Sequence, residues 1–161
     1  MRTIYDSVSP EYIYPLSKVD IARVRKHVPP SIWETIQYIR FGFSSNSSHA
    51  GRMLGHGRNY RIRVNFCVKR VEGRLESPLV CRQRQYIENV KRYGGKPDLA
   101  KGVIMWDLAS AKQYAMYVLL HEIGHVVYAE ANLPGSRLRC RTSKEEDWCD
   151  AYSARLMQEV G

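Results

Sequence analysis

From about Asp107 or Ser110 to about Ala131 the chain carries one long helical pattern. Ala, Tyr, Met, Val and Leu crowd nearly every side of it through Leu120. A helix that is apolar all round has to be enclosed. It is therefore expected to be the central, buried element, ended by Asn132-Leu133-Pro134-Gly135. A chain of 161 residues suits one domain, 1–161, with one hydrophobic core. No apolar run approaches the length needed to span a bilayer.

Around this helix the sequence predicts shorter pieces. Residues 1–17 read as irregular. Ser17 or Asp20 is placed to cap a short helix with Val19, Ile21, Val24 and Val28 near helical spacing, and Pro29-Pro30 stops it. Ser31 starts another short helix through Ile32, Trp33 and Ile36, and Tyr38 to Phe43 reads as a strand entrance. The Ser/Gly/Asn-rich stretch from Phe43 to Asn59 predicts a mobile loop or a wide hairpin connection. Residues 60–69 are the clearest strand. Tyr60, Ile62, Val64, Phe66 and Val68 share one face, and Arg61, Arg63, Asn65, Cys67 and Lys69 share a wet, basic one. Val80 to Tyr93 suits a helix, Gly94-Gly95-Lys96-Pro97 a break, Gly102 to Trp106 a short inner strand, and Ser143 to Val160 a final helix. The sum is an α+β domain with a small, mostly antiparallel sheet packed on the long central helix.

Charge is unevenly spread. Residues 1–101 hold 19 of the 25 Lys and Arg but only 8 of the 16 Asp and Glu. That asymmetry suits either a polyanion partner such as nucleic acid, or simply a solubilising surface. The first fifteen residues lack the apolar stretch of a signal peptide, which predicts an intracellular (cytoplasmic) protein. In such a compartment Cys67, Cys81, Cys140 and Cys149 are expected as free thiols, with a Cys140–Cys149 disulfide the alternative.

The chemistry sits inside the central helix. His121-Glu122-Ile123-Gly124-His125 matches H-E-x-x-H. Histidines four apart stand one above the other on a helix, so both imidazoles can reach one zinc ion. Glu122 lies about 100° round the helix, placed to take a proton from a metal-bound water rather than to ligate. Gly124 leaves room for another element to approach closely. The alternative is a satisfied polar cluster in the core, but a His-Glu-His set among Leu119, Leu120, Ile123, Val126 and Val127 is costly without a partner. A third ligand has to come from Cys140, Glu145, Glu146, Asp147, Cys149, Asp150 or Glu159. No His follows His125, and Glu130, five residues on, points elsewhere.

Glu146-Asp147-Trp148-Cys149-Asp150-Ala151 resembles the E-x-x-A-D segment that follows H-E-x-x-H in gluzincin metallopeptidases, with Cys149 in place of the usual small Ala. Small single-domain gluzincins and the regulator-cleaving H-E-x-x-H proteases of mobile elements and stress response are similar. The likeness covers roughly residues 118–157. It implies that Glu146, on the C-terminal helix, is the third ligand of one zinc ion per chain, and that Asp150 supports the site from behind. Glu146 and Asp150 share a helix face at i, i+4, and Asp150 is placed to accept an N–H from a zinc-bound histidine. Two alternatives remain: Ser143-x-x-Glu146 also reads as a capping box, and Glu145 is the reserve ligand.

Secondary candidates are His49 and His56, which read as solvated loop residues. Tyr128 or Tyr152 would be a phenol donor to an oxyanion or plain core. Cys67 is either a reactive or an inert thiol. The expected function is a zinc-dependent endopeptidase acting on a polypeptide held by strand addition at a sheet edge, with Gly102–Trp106 as the candidate edge. The alternative is a basic nucleic-acid-associated protein whose zinc is structural or vestigial. A fourth protein ligand, such as Cys140 or Cys149, would favour that alternative.

Overall fold

The computed structural model describes residues 1–43, 50–132 and 141–160. His49 and Cys140, for which the sequence raised expectations, lie outside the described residues. The fold is α+β, and the described residues form two sheets and five helices in the order β1 (Arg2–Tyr5), β2 (Tyr12–Ile13), α1 (Lys18–Arg25), α2 (Pro30–Trp33), β3 (Ile36–Phe41), β4 (Gly51–His56), β5 (Asn59–Val64), β6 (Val68–Val71), β7 (Arg74–Pro78), α3 (Arg84–Arg92), β8 (Lys96–Asp98), β9 (Val103–Trp106), α4 (Leu108–Asn132) and α5 (Ser143–Val160). No helix among the described residues is long and apolar enough to cross a membrane.

The single, mostly antiparallel sheet expected from sequence is two sheets. The first has order β1-β3-β5-β4 and is mostly parallel: β1 and β5 both run parallel to β3, and only β4 is antiparallel to its neighbour. The second, β2-β6-β7-β9-β8, is wholly antiparallel. The N-terminal segment is not irregular, because β1 and β2 each extend a different sheet. The predicted 60–69 strand breaks at Asn65–Cys67, where the chain leaves the first sheet as β5 and enters the second as β6. The apolar positions stay inside across the break: Tyr60, Ile62, Val64, Phe66 and Val68 are all buried, with Cys67 buried between the last two.

Local chemistry explains the elements. Ser17 caps α1 in a reciprocal box with Asp20, whose carboxylate also takes Lys112 Nζ of α4 at 2.7 Å. Pro30 opens α2 at a position where no N–H is needed. Gly57 and Arg58, both at positive φ, form a two-residue hairpin turn between β4 and β5. Asp107 caps α4 by accepting from the Ser110 N–H at 2.7 Å.

α4 is the central element. It is buried from Ala111 to Ala129 on most of its circumference, and packs on β4, β5 and α5. Its upstream end meets the second sheet through an aromatic cluster, with Tyr114 5.0 Å from Phe66 and 5.1 Å from Trp106 between ring centroids. Cys67, expected on the wet strand face, is buried, and burial pushes its thiol up to about 11. That makes it an inert thiol.

Candidate metal centre

Two helices build the site. α4 brings His121, Glu122 and His125. α5 packs against it closely enough that a Cβ on Gly124 would lie 3.3 Å from Cys149 Cα, so the expected close approach at Gly124 is real. This fixes how the first turns of α5 meet the two histidines.

His121 and His125 stack edge to face, ring centroids 4.8 Å apart. Their Nε2 atoms are 3.1 Å from each other. Glu146 completes a triangle, with Oε2 3.1 Å from His121 Nε2 and Oε1 3.5 Å from His125 Nε2. Zinc bonds of about 2.0–2.2 Å set the edge of a ligand tetrahedron at about 3.3–3.6 Å. The three distances fall within about 0.2 Å of that range, so the residues fit a metal ion of this size.

The outer nitrogens are engaged. Asp150 Oδ1 is 2.8 Å from His121 Nδ1, and Glu145 Oε1 is 2.6 Å from His125 Nδ1. A carboxylate on each Nδ1 anchors that nitrogen as an N–H donor and turns Nε2 inward, the ring orientation a metal needs. Asp150 takes the supporting place expected of it. Glu145, the reserve ligand, instead backs His125 and is fully buried. Cys149 Sγ lies 3.4 Å from His125 Nδ1. It is therefore at the outer edge of the ring, away from the converging Nε2 atoms. Among the described residues the group at those atoms has three members, His121, His125 and Glu146.

Glu146 is not the capping residue of α5. Thr142 has that place, its Oγ1 accepting from the Glu145 N–H at 3.2 Å and its carbonyl from the Glu146 N–H at 3.0 Å. The cap is one residue earlier than the sequence suggested, so the box position falls on Glu145, whose side chain goes to His125 instead.

Electrostatics follow the contacts. Burial works against a charged His121, but hydrogen bonds to Asp150 and Glu146, with the nearby Glu122 charge, outweigh it and raise the ring to about 9. Hydrogen bonds from His121 and His125 hold the Glu146 carboxyl far below its ordinary value. Burial pushes Asp150 up, yet its hydrogen bonds with His121 and Tyr117 leave it lowered.

His121, Glu122 and Glu146 line an open cleft of about 510 Å³ with Ala50, Gly51 and Arg141. His125 is sealed behind it. Glu122 Oε2 accepts from Arg141 Nη2 at 3.1 Å. A Cβ on Gly51 would come within 2.8 Å of Glu122 Oε1, so only glycine leaves that carboxylate its room. Neither Tyr128 nor Tyr152 lines the cleft. Both instead pack on Trp148, at 5.6 and 5.2 Å between centroids. His56 is exposed at the far end of β4.

Sequence reasoning missed Arg141, the outer role of Glu145, and a hydrogen-bond chain behind Asp150. In that chain Asn89 Nδ2 donates to Tyr117 Oη at 3.0 Å, and Tyr117 donates to Asp150 Oδ1 at 2.8 Å. Tyr117 carried a usable signal, since it lies four residues before His121 on one helix face. Arg141 and Asn89 carried none.

No protein-family model matches the chain, and neither a curated protein nor a solved structure is detectably similar to it.

Proposed function

We propose that this protein is a zinc-dependent endopeptidase in which His121, His125 and Glu146 hold one ion and Glu122 is the general base. The observation that carries the reading is the triangle of two inward-turned Nε2 atoms and a carboxylate, spaced for a tetrahedral ion, with each histidine backed by its own carboxylate. A zinc ion held there would supply a water of lowered pKa and polarise the scissile carbonyl. Glu122 takes the attacking water's proton and returns it to the amine nitrogen as the C–N bond breaks. Arg141 pins one oxygen of that carboxylate and leaves the other for the proton.

The substrate strand belongs at β4 rather than at Gly102–Trp106. β9 lies between β7 and β8 and has no free edge. Among the described residues β4 pairs with β5 alone and is the last strand of its sheet. Its first residue, Gly51, lies beside Glu122 at the cleft. An extended polypeptide added beside β4 would run past the metal site. A purely structural zinc has less support, since no fourth donor joins the triangle among the described residues. As to compartment, the free thiols of Cys67 and Cys81 favour a reducing, intracellular one.

The test is the zinc-loaded protein on an unbiased peptide library read by mass spectrometry, beside Glu122→Gln. The parent should hold about one zinc and cleave, and the variant should hold zinc and not cleave. A fully loaded parent that cleaves nothing, or a variant that cleaves equally, overturns the reading.

A further inference from the structure

The four strands β1, β3, β4 and β5 contain five arginines and no Asp or Glu. Registration puts all five on one face. Arg40 of β3 faces Arg63 of β5, which faces Arg52 of β4. In the next row Arg2 of β1 faces Tyr38, which faces Arg61. The opposite face of the sheet (Ile36, Ile39, Phe41, Ile62, Val64 and Met53) is buried under α4 and its neighbours. The arginine face is the solvent side, with Arg2, Arg40, Arg52 and Arg61 exposed.

Strands about 4.8 Å apart put three guanidinium stems abreast, a like-charge arrangement that costs stability. Local acids do little to offset it. Asp6 takes Arg40 at 2.7 Å, and Arg2, Arg52 and Arg61 form no ion pair among the described residues. Some cations elsewhere have an acidic partner: Lys69 has Glu11, Arg74 has Glu72, Arg84 has Glu88 and Lys101 has Asp98. Lys69, which the sequence grouped with Arg61 and Arg63, belongs to the other sheet.

We propose that this face binds nucleic acid, with phosphates seated on the two arginine rows. The half-buried ring of Tyr38, flanked by Arg2 and Arg61, would meet the sugar or an unpaired base. A charged polymer with one phosphate per residue suits a ladder of regularly spaced guanidinium groups, which bind phosphate in bidentate fashion. The face lies on the side of the sheet away from α4, so an occupied ladder does not need the metal site. The inference stands whether or not the chain cleaves peptides.

The experiment is fluorescence anisotropy of the whole protein with a labelled single strand and a labelled duplex across a salt series, with polyglutamate as unlabelled competitor. Zinc content serves as the folding control for every variant. Binding should weaken steeply with salt, and Arg52→Ala with Arg61→Ala should flatten the log–log slope by about 0.7–0.9 each. Lys69→Ala with Arg74→Ala, two paired cations of the other sheet, should leave it unchanged. No binding to either probe at low salt, equal losses in the two double variants, or polyglutamate displacing nucleic acid at equal charge concentration would each overturn the proposal.

Discussion

Glu145 Oε1 lies 2.6 Å from His125 Nδ1, and both side chains are sealed from solvent. The neighbouring glutamate, Glu146, is on the other side of the same ring and about 40% exposed. Adjacent residues of one helix thus take the inner and outer nitrogens of one histidine.

That division predicts two different defects. Glu146→Gln removes the proposed third ligand and should lower zinc affinity the most. Glu145→Gln keeps the shape but weakens the acceptor behind His125, and should lower zinc affinity by about 10–100-fold. Competition with a chromogenic chelator measures both. A Glu145→Gln protein with parental affinity would show that the outer contact does not tune the metal.

Zinc uptake should release a proton at neutral pH. His121 of the zinc-free protein, raised to about 9, is protonated at pH 7.5. Zinc requires its Nε2 bare. Affinity should rise about tenfold per pH unit and level off near pH 9. Calorimetry at pH 7.5 in buffers of different protonation enthalpy should find about one proton released per zinc. Finding none would show a neutral ring. The same raised value acts oppositely on zinc-free stability. Its contribution is complete below the unfolded value of about 6.5 and is lost as pH rises through the folded one.

Gly124→Ala should destabilise the protein. Alanine gains about 1 kcal/mol of helix propensity over glycine. The new methyl would sit 3.3 Å from Cys149 Cα and Cβ, and overpacking of that kind costs about 1–3 kcal/mol. The net loss should be on the order of 1 kcal/mol, seen as a lower urea midpoint with unchanged slope. An unchanged midpoint would mean α5 steps back freely.

The elements that were legible from sequence had a pattern of their own. α4 and α5 carry helical periodicity, and α5 starts at Ser143 as read. The H-E-x-x-H spacing put His121 and His125 together because helix geometry alone does so. Asp150 and Glu146 required a tertiary fact, the register of α5 on α4, and a resemblance supplied it. The rest depended on long-range pairing. β1, β2 and β8 are two to four residues long and are strands only because a partner strand exists. Their own sequences carry too little alternation to mark them. The break at Asn65–Cys67 was invisible because the alternation of apolar residue types in the sequence runs on while the chain changes sheets. The β4–β5 hairpin was hidden by a Gly57–Arg58 turn in a Gly-rich stretch, where a turn and a loop look alike.

The three converging atoms are divided between helices whose contributing residues are at least 21 positions apart in sequence, so neither helix holds the set alone. Whatever ion occupies it would be a crosslink between α4 and α5. Its residence time would then be capped by how often α5 lifts off, an opening event within the folded state. Chelation and amide exchange in α5 would report the same rate, and residues Ser143–Val160 would set the lifetime of the bound metal as much as the ligands do.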